Sequence, residues 1–386
     1  MKDPNNIIIY RDSLLPRSET FVANQALSLQ SFNPYFLGYK KVQGGIDLPE
    51  EKTCLYSQKI SSRNNPDEIL WKKLGTNPKF NRFIRDVNPI LIHAHFGPDG
   101  LIAQPYAKRH NKPLLVTFHG YDVTVKDEYL LKQSYNIRQY AKNQQLLKND
   151  PNASFVAVSS FIRKKLIDKG FPEERIFTHY IGVDLQKLQI SQSVKRENAV
   201  LFVGRLIENK GCEFLLEAFK EISTHSPETE LWIVGDGPEK RSLEEKAKTI
   251  SSKITFFGVK PYDEVIRLMN RAKIFSVPSI EIETGASEGL GMVFVEAHAM
   301  GLPVVSFKTG GIPEAVINNE TGLLVNQRDI KGLADSLLSL LQNPALIEKM
   351  SHNAIDHARK NFDIERQTDK LEDIYRSVIK QDTTKN

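Results

Sequence analysis

The chain has 386 residues, enough for two domains with a sizeable core in each. Hydrophobic residues at 40% and charged residues at 26%, with 22 Gly and 19 Pro, exclude collagen-like, low-complexity and disordered chains and describe a folded soluble protein. Lys plus Arg exceeds Asp plus Glu by 52 − 47 = +5, which admits anionic ligands or a membrane surface but is too small to point to nucleic acid, so no nucleic-acid partner is expected.

In chain order, Met1 to Asn6 is polar and leads into a short apolar run, Ile7 to Tyr10, which reads as a buried strand and not as a secretory signal. Lys40 to Asn81 reads as helix plus loop, and Ile90 to Ala94, Leu114 to Phe118 and Ser154 to Val158 as further buried strands. Ser159 opens a basic amphipathic helix in which Phe161, Ile162, Leu166 and Ile167 stand beside Arg163, Lys164, Lys165 and Lys169. That pattern suits the core face of a helix on a sheet or an anionic membrane surface. Asp184 to Asn198 is polar and reads as the linker between domains. Beyond it, Ala199 to Val203, Glu230 to Val234, Ile254 to Phe257, Ile274 to Val277 and Pro303 to Phe307 repeat the strand pattern. They alternate with helices at Glu213 to Thr224, Glu239 to Ile250, Tyr262 to Ala272, Ile330 to Gln342 and Ala345 to Asn361. The alternation predicts parallel sheets wound with helices in both halves. No stretch reaches the roughly 18 uncharged apolar residues of a membrane span; Leu290 to Phe307 comes nearest and contains Glu296 and His298. Cys54 and Cys212 form no disulfide framework or metal-ligand spacing, which favours a reducing, cytosolic compartment.

Glu288-Gly-Leu-Gly-Met-Val-Phe-Val-Glu296 sets two carboxylates seven residues apart around glycines that open a helix. Glycines permit close backbone approach and helix N-terminal amides favour anions, so the pair suits the two ends of an extended ligand. Taken alone, it also suits one capping and one solvated glutamate. Gly204-Arg205 and Lys210-Gly211 place two cations in the turn after a strand, where doubly wound sheets bind ligands and where charge on a diphosphate is offset. Val234-Gly-Asp-Gly-Pro238 and Phe256-Phe-Gly-Val259 end two more strands at the same edge.

These segments, with Gly301-Leu-Pro-Val-Val and Gly310-Gly-Ile-Pro-Glu314, resemble the retaining glycosyltransferases of family 4 in order and spacing. The resemblance implies an α/β chain of the GT-B fold, two facing Rossmann-like doubly wound domains with a deep cleft between them. Residues 1–184 would be the acceptor-binding domain, with a C-terminal helix of about 363–380 packing back on it, and residues 197–362 the donor-binding domain. It further implies Arg205 and Lys210 on the donor diphosphate near Gly235, and Glu296 on the ribose hydroxyls. Glu288 would contact the transferred sugar with the amides of Gly289, Leu290, Gly291 and Met292, while Val259 frames the nucleobase. Thr117 to Asp122 looks like the family segment that carries a histidine near the anomeric carbon, so His119 joins Glu288, Arg205 and Lys210 in the implied catalytic set. Arg17 to Phe21 and His93 to Gly97 resemble the subset that assembles bacterial exopolysaccharides such as colanic acid and amylovoran. The family's Gly-Gly loop after the first strand is replaced by Arg11 to Pro16.

The function implied is retaining, metal-independent hexosyl transfer without a cofactor. The donor would be a nucleotide-diphosphate sugar, UDP-linked ahead of GDP-linked, and the acceptor a saccharide or lipid-linked saccharide. The setting would be cell-surface polysaccharide or glycolipid assembly in the cytoplasm, at the cytoplasmic face of the inner membrane. No D-x-D triplet is present to bridge a metal to the diphosphate. Three other readings stand beside it: a nucleotide-sugar epimerase of similar fold, a non-catalytic nucleotide-sugar-binding subunit, and a hydrolase with a metal on His93 and His95.

Overall fold

The computed structural model describes residues 5–16, 19–42, 44–57, 66–75, 77–191 and 193–383. Arg17 and Ser18 of the Arg17 to Phe21 motif lie outside them, as do Gln43, residues 58–65 and Thr76. The chain forms two compact units, Met1–Gly182 with Ile364–Asn386, and Val183–Asp363.

The first unit holds one parallel sheet of β1 (Asn6–Tyr10), β2 (Ser13–Leu14), β3 (Asn33–Lys41), β4 (Thr53–Ser57), β5 (Leu91–His95), β6 (Leu114–Phe118), β7 (Ala153–Ala157) and β8 (Ile176–Thr178). The order is β3-β1-β5-β6-β7-β8, with β2 and β4 both paired to β3. Every residue of β1, β5, β6 and β7 is buried. Both faces of this sheet are covered, so its strands read as continuous apolar runs and not as alternation. Against it packs the C-terminal helix Ile364–Thr383, whose Leu371, Tyr375 and Val378 share a core with Ile7, Ile9, Phe36 and Leu115. Their spacing sets them on one helical face, and Glu372 Oε1 accepts from the amides of Gln30 and Ser31, both at 2.7 Å.

Two features differ from the sequence reading. The stretch 40–81 contains the end of β3, all of β4, the helix Pro66–Leu74 and the start of the helix Pro78–Val87. Pro34 and Gly38 interrupt β3's apolar pattern, and Gly38 is there for contact: a Cβ on it would lie 2.4 Å from the Arg11 carbonyl oxygen. The segment read as a linker is built into the second unit. Ser191 N donates to Asn270 Oδ1 at 2.9 Å, and the Arg196 guanidinium donates to the carbonyls of Met269, Ala272 and Met300.

The basic helix Ser160–Asp168 is capped by Ser159, whose Oγ accepts from Ile162 N at 3.1 Å. Ile162 and Leu166 are fully buried, so the apolar side is the core face. Arg163 pairs with Glu173 and Lys169 with Asp127, leaving less of the basic side for an anionic surface. Among the described residues no helix is long and apolar enough to cross a membrane.

The second unit holds β9 (Ala199–Val203), β10 (Glu230–Val234), β11 (Ile254–Gly258), β12 (Ile274–Phe275), β13 (Val304–Phe307) and β14 (Gly322–Val325), all parallel, in the order β11-β10-β9-β12-β13-β14. The order reverses between β9 and β12. In doubly wound sheets such a reversal opens the crevice in which ligands bind.

Candidate functional site

The second unit's motif residues gather at that reversal. Gly204 and Arg205 leave β9, and a single 3-10 turn, Glu208–Lys210, brings Lys210 Nζ to 2.5 Å from Glu288 Oε2. Ser279 Oγ, just beyond β12, lies 3.5 Å from the same oxygen. The two ion-paired side chains are 18% and 15% exposed, whereas Arg205 is exposed and makes no ion pair among the described residues. Gly235 ends β10 with φ 144°, and a Cβ there would stand 1.8 Å from the Gly204 carbonyl oxygen. Gly235→Ala is therefore expected to cost well over 1 kcal/mol, since both the dihedral and the contact forbid a side chain. A urea midpoint equal to that of the wild type would contradict it.

Glu288 O accepts from Gly311 N at 2.9 Å, which ties the glutamate's turn to the Gly310-Gly311 loop. Gly289 and Leu290 are buried, and Gly291 caps the helix Met292–Ala299. Met292 and Glu296 stand four residues apart on one face of that helix. The Tyr262 hydroxyl donates to Glu296 Oε1 at 3.1 Å. Burial pushes the Glu296 carboxyl up to about 7, with the Tyr262 hydrogen bond opposing the rise. Val259, just past β11, is 73% exposed. An exposed cation, a cation shared with a carboxylate and a helix N-terminus stand at one sheet edge, groups of the kind that bind anions.

In the first unit the order reverses between β1 and β5. Arg11, following β1, grips Glu19 through two donors at 2.8 and 2.7 Å and Asp99 through a third at 2.6 Å, and its guanidinium lies 4.5 Å from the Phe96 ring centre. Asp99 also accepts from Asp12 N at 2.7 Å; burial raises its carboxyl to about 6 against the pull of Arg11. Where the family has glycines, this chain thus has a charge cluster that satisfies itself.

His119 follows β6. Its Nε2 lies 3.0 Å from His95 Nδ1, Phe21 and Phe96 flank its ring at 5.0 and 4.5 Å, and its Nδ1 is buried without a partner among the described residues. Phe96 reaches this place with φ 72°, a left-handed conformation that costs on the order of 1 kcal/mol or more and recurs at functional sites. Asp122 accepts from Gly97 N and Gly120 N, both at 3.0 Å, and so fastens together the loops after β5 and β6. Burial raises Asp122 to about 6 and holds His95 and His119 well below the ordinary imidazole range, neutral at pH 7. His93 has both ring nitrogens engaged, with the Tyr375 hydroxyl at 2.8 Å and Thr117 Oγ1 at 2.7 Å, which takes it out of the metal-ligand role considered above.

The sequence reading assigned no role to Tyr262, Asp99, Asp122 or Tyr375. The Tyr262 and Tyr375 contacts span 34 and 282 residues, beyond any local pattern.

Two family models match the chain: Glycosyltransferase Family 4 over residues 44–187 and Glycosyl transferases group 1 over residues 185–360. The chain belongs to the group 1/family 4 glycosyltransferases. It is 32% identical over 270 residues to the amylovoran biosynthesis glycosyltransferase AmsK of Erwinia amylovora, covering 66% of this chain and 62% of that protein. It is 31% identical over 265 residues to WcaL of Salmonella typhimurium, named for colanic acid biosynthesis, covering 66% and 61%. The chain thus spans less than two thirds of the length of these curated relatives. HepE of Anabaena, solved with UDP and glucose, superposes with a TM-score of 0.75 at 19% identity over 96% of this chain and 99% of that one. The fold is GT-B, built of two Rossmann-like parallel-sheet units.

Proposed function

We propose that this glycosyltransferase moves a hexosyl unit, with retention, from a UDP-linked sugar to an acceptor hydroxyl in cell-surface polysaccharide or glycolipid assembly. The observation that carries the reading is the Lys210–Glu288 pair at 2.5 Å beside the exposed Arg205 at the β9/β12 reversal. Arg205 and Lys210 offset the charge of the departing diphosphate without reorganising, and no metal or cofactor is called for. Glu288 and the backbone of Gly289 to Met292 hold the transferred sugar, Glu296 the ribose hydroxyls, Gly235 and Val259 the nucleotide's surroundings, and His119 the sugar near its reacting carbon. In front-face substitution the bond from the anomeric carbon to the diphosphate oxygen breaks. A bond to the acceptor oxygen forms on the same face, and the acceptor proton passes to the leaving phosphate oxygen.

AmsK's role in amylovoran biosynthesis and HepE's complex with UDP and glucose support this donor and setting. A lipid-linked acceptor at the cytoplasmic membrane face fits the basic first unit, which carries 31 Lys and Arg against 22 Asp and Glu, while the second carries 21 against 25.

The test is NMR of the protein with a panel of α-linked UDP-hexoses in EDTA. UDP release with the α anomer as first product is expected. A β anomer first would refute retention, rescue of a dead reaction by Mg²⁺ would refute metal independence, and failure to turn over any donor would refute the activity.

A further inference from the structure

Tyr262 heads the helix Tyr262–Arg271, four residues beyond the end of β11, and is 40% exposed. Its hydroxyl reaches across 34 residues to one carboxylate oxygen of Glu296, Oε1, at 3.1 Å. The other oxygen, Oε2, has no hydrogen-bond partner among the described residues. A carboxylate that binds two neighbouring hydroxyls must present its oxygens in a set direction, and a glutamate side chain left free to rotate loses affinity in ordering. Resting on the donor reading above, we propose that Tyr262 is a positioning residue for Glu296: its phenol engages one carboxylate oxygen and holds the group where it accepts from the vicinal hydroxyls of a nucleotide ribose.

The same contact bears on ionisation. Burial raises the Glu296 carboxyl to about 7 and the Tyr262 hydrogen bond is what pulls it down, so removing the hydroxyl moves it further up. Burial raises the Tyr262 phenol, and Glu296, Asp184 and Asp263, which face it, raise it further, keeping Tyr262 a neutral donor throughout the physiological range. Protonation turns one carboxylate oxygen into a donor and leaves only the other to accept from the paired ribose hydroxyls, so affinity is highest above the Glu296 value and falls as pH falls through it.

The test uses UDP-glucose, whose diphosphate does not titrate between pH 6 and 9, bound to the wild type, Tyr262→Phe and Glu296→Gln by calorimetry. At pH 9, where Glu296 is ionised in both, Tyr262→Phe is expected to bind several-fold more weakly from lost orientation alone. At pH 7 the gap is expected to widen further, since a carboxyl moved up by loss of the phenol leaves less carboxylate there. Glu296→Gln is expected to bind weakly at every pH. A ¹³C titration of the Glu296 carboxyl, assigned with Glu296→Gln, gives the displacement without any ligand. Coincident binding profiles and carboxyl titrations of wild type and Tyr262→Phe, with Glu296→Gln impaired, would overturn the role of Tyr262 and leave the ribose assignment standing. Full affinity in Glu296→Gln, or no UDP-glucose binding by the wild type, would overturn the donor reading itself.

Discussion

Lys210→Ala is expected to lower kcat/KM for the donor by about 10²- to 10³-fold, the range for removing a preorganised charge that faces a developing anion. The substitution does two things at once. It deletes a cation from the β9/β12 reversal and strands the Glu288 carboxylate, 15% exposed, without its partner at 2.5 Å. Stability should change by only about 1 kcal/mol, because water still reaches both side chains. Arg205→Ala removes an exposed cation with no ion pair to break among the described residues, so a loss of about 10- to 100-fold with an unchanged melting temperature is expected. The double variant Lys210→Ala, Glu288→Gln measures how far the two residues act as a unit, since contacting residues are not additive. Steady-state kinetics beside thermal melts separate these effects. Wild-type turnover by Lys210→Ala would remove the pair from the mechanism.

Acidification from pH 7.5 to 5 is expected to destabilise the fold by several kcal/mol. Burial holds His93 near 3, His179 near 4, and His95 and His119 well below their ordinary value of about 6.5. Below pH 6.5 the unfolded chain therefore takes up protons that the folded first unit refuses, and stability falls as pH falls. Each such histidine costs about 2 kcal/mol at pH 5. Asp99 and Asp122, both raised to about 6, act in the opposite sense, because the folded form holds protons that the unfolded chain releases. Each returns only about 1.4 kcal/mol over the same interval, and four histidines outweigh two carboxyls. In the second unit His298, held near 3, opposes Glu296, raised to about 7. Thermal melts at the two pH values check the sign, and His93→Gln should flatten the dependence. A melting temperature that stays level or rises at pH 5 would contradict the assignment of these imidazoles as buried and neutral.

The legible part of this protein was the part whose chemistry is local. Strands such as Ile7 to Tyr10 and Leu114 to Phe118 announce themselves because a sheet covered on both faces needs uninterrupted apolar runs. Arg205, Lys210, Gly235 and Glu288 were legible because ligand loops follow strands and carry glycines that let backbones touch. The strands β3 and β4 were hidden for the converse reason: Gly38 reads as a breaker until the Arg11 carbonyl is seen against it. The polarity of Asp184 to Asn198 likewise concealed Arg196, whose donors close three carbonyls of the second unit. Contacts that join distant segments left no trace in any window, among them Tyr262 on Glu296, Tyr375 on His93, and the Arg11 cluster that stands in for a glycine loop.

The edge where β9 and β12 part is proposed to bind a nucleoside diphosphate through Arg205 and Lys210. Calorimetric titration of UDP into the wild type and into Arg205→Ala, Lys210→Ala tests it most directly. Binding by the wild type and a loss of at least about 100-fold in the double variant, with both proteins melting within a few degrees of each other, is the predicted result. Equal affinity in the two proteins, or no UDP binding by the wild type, would contradict it.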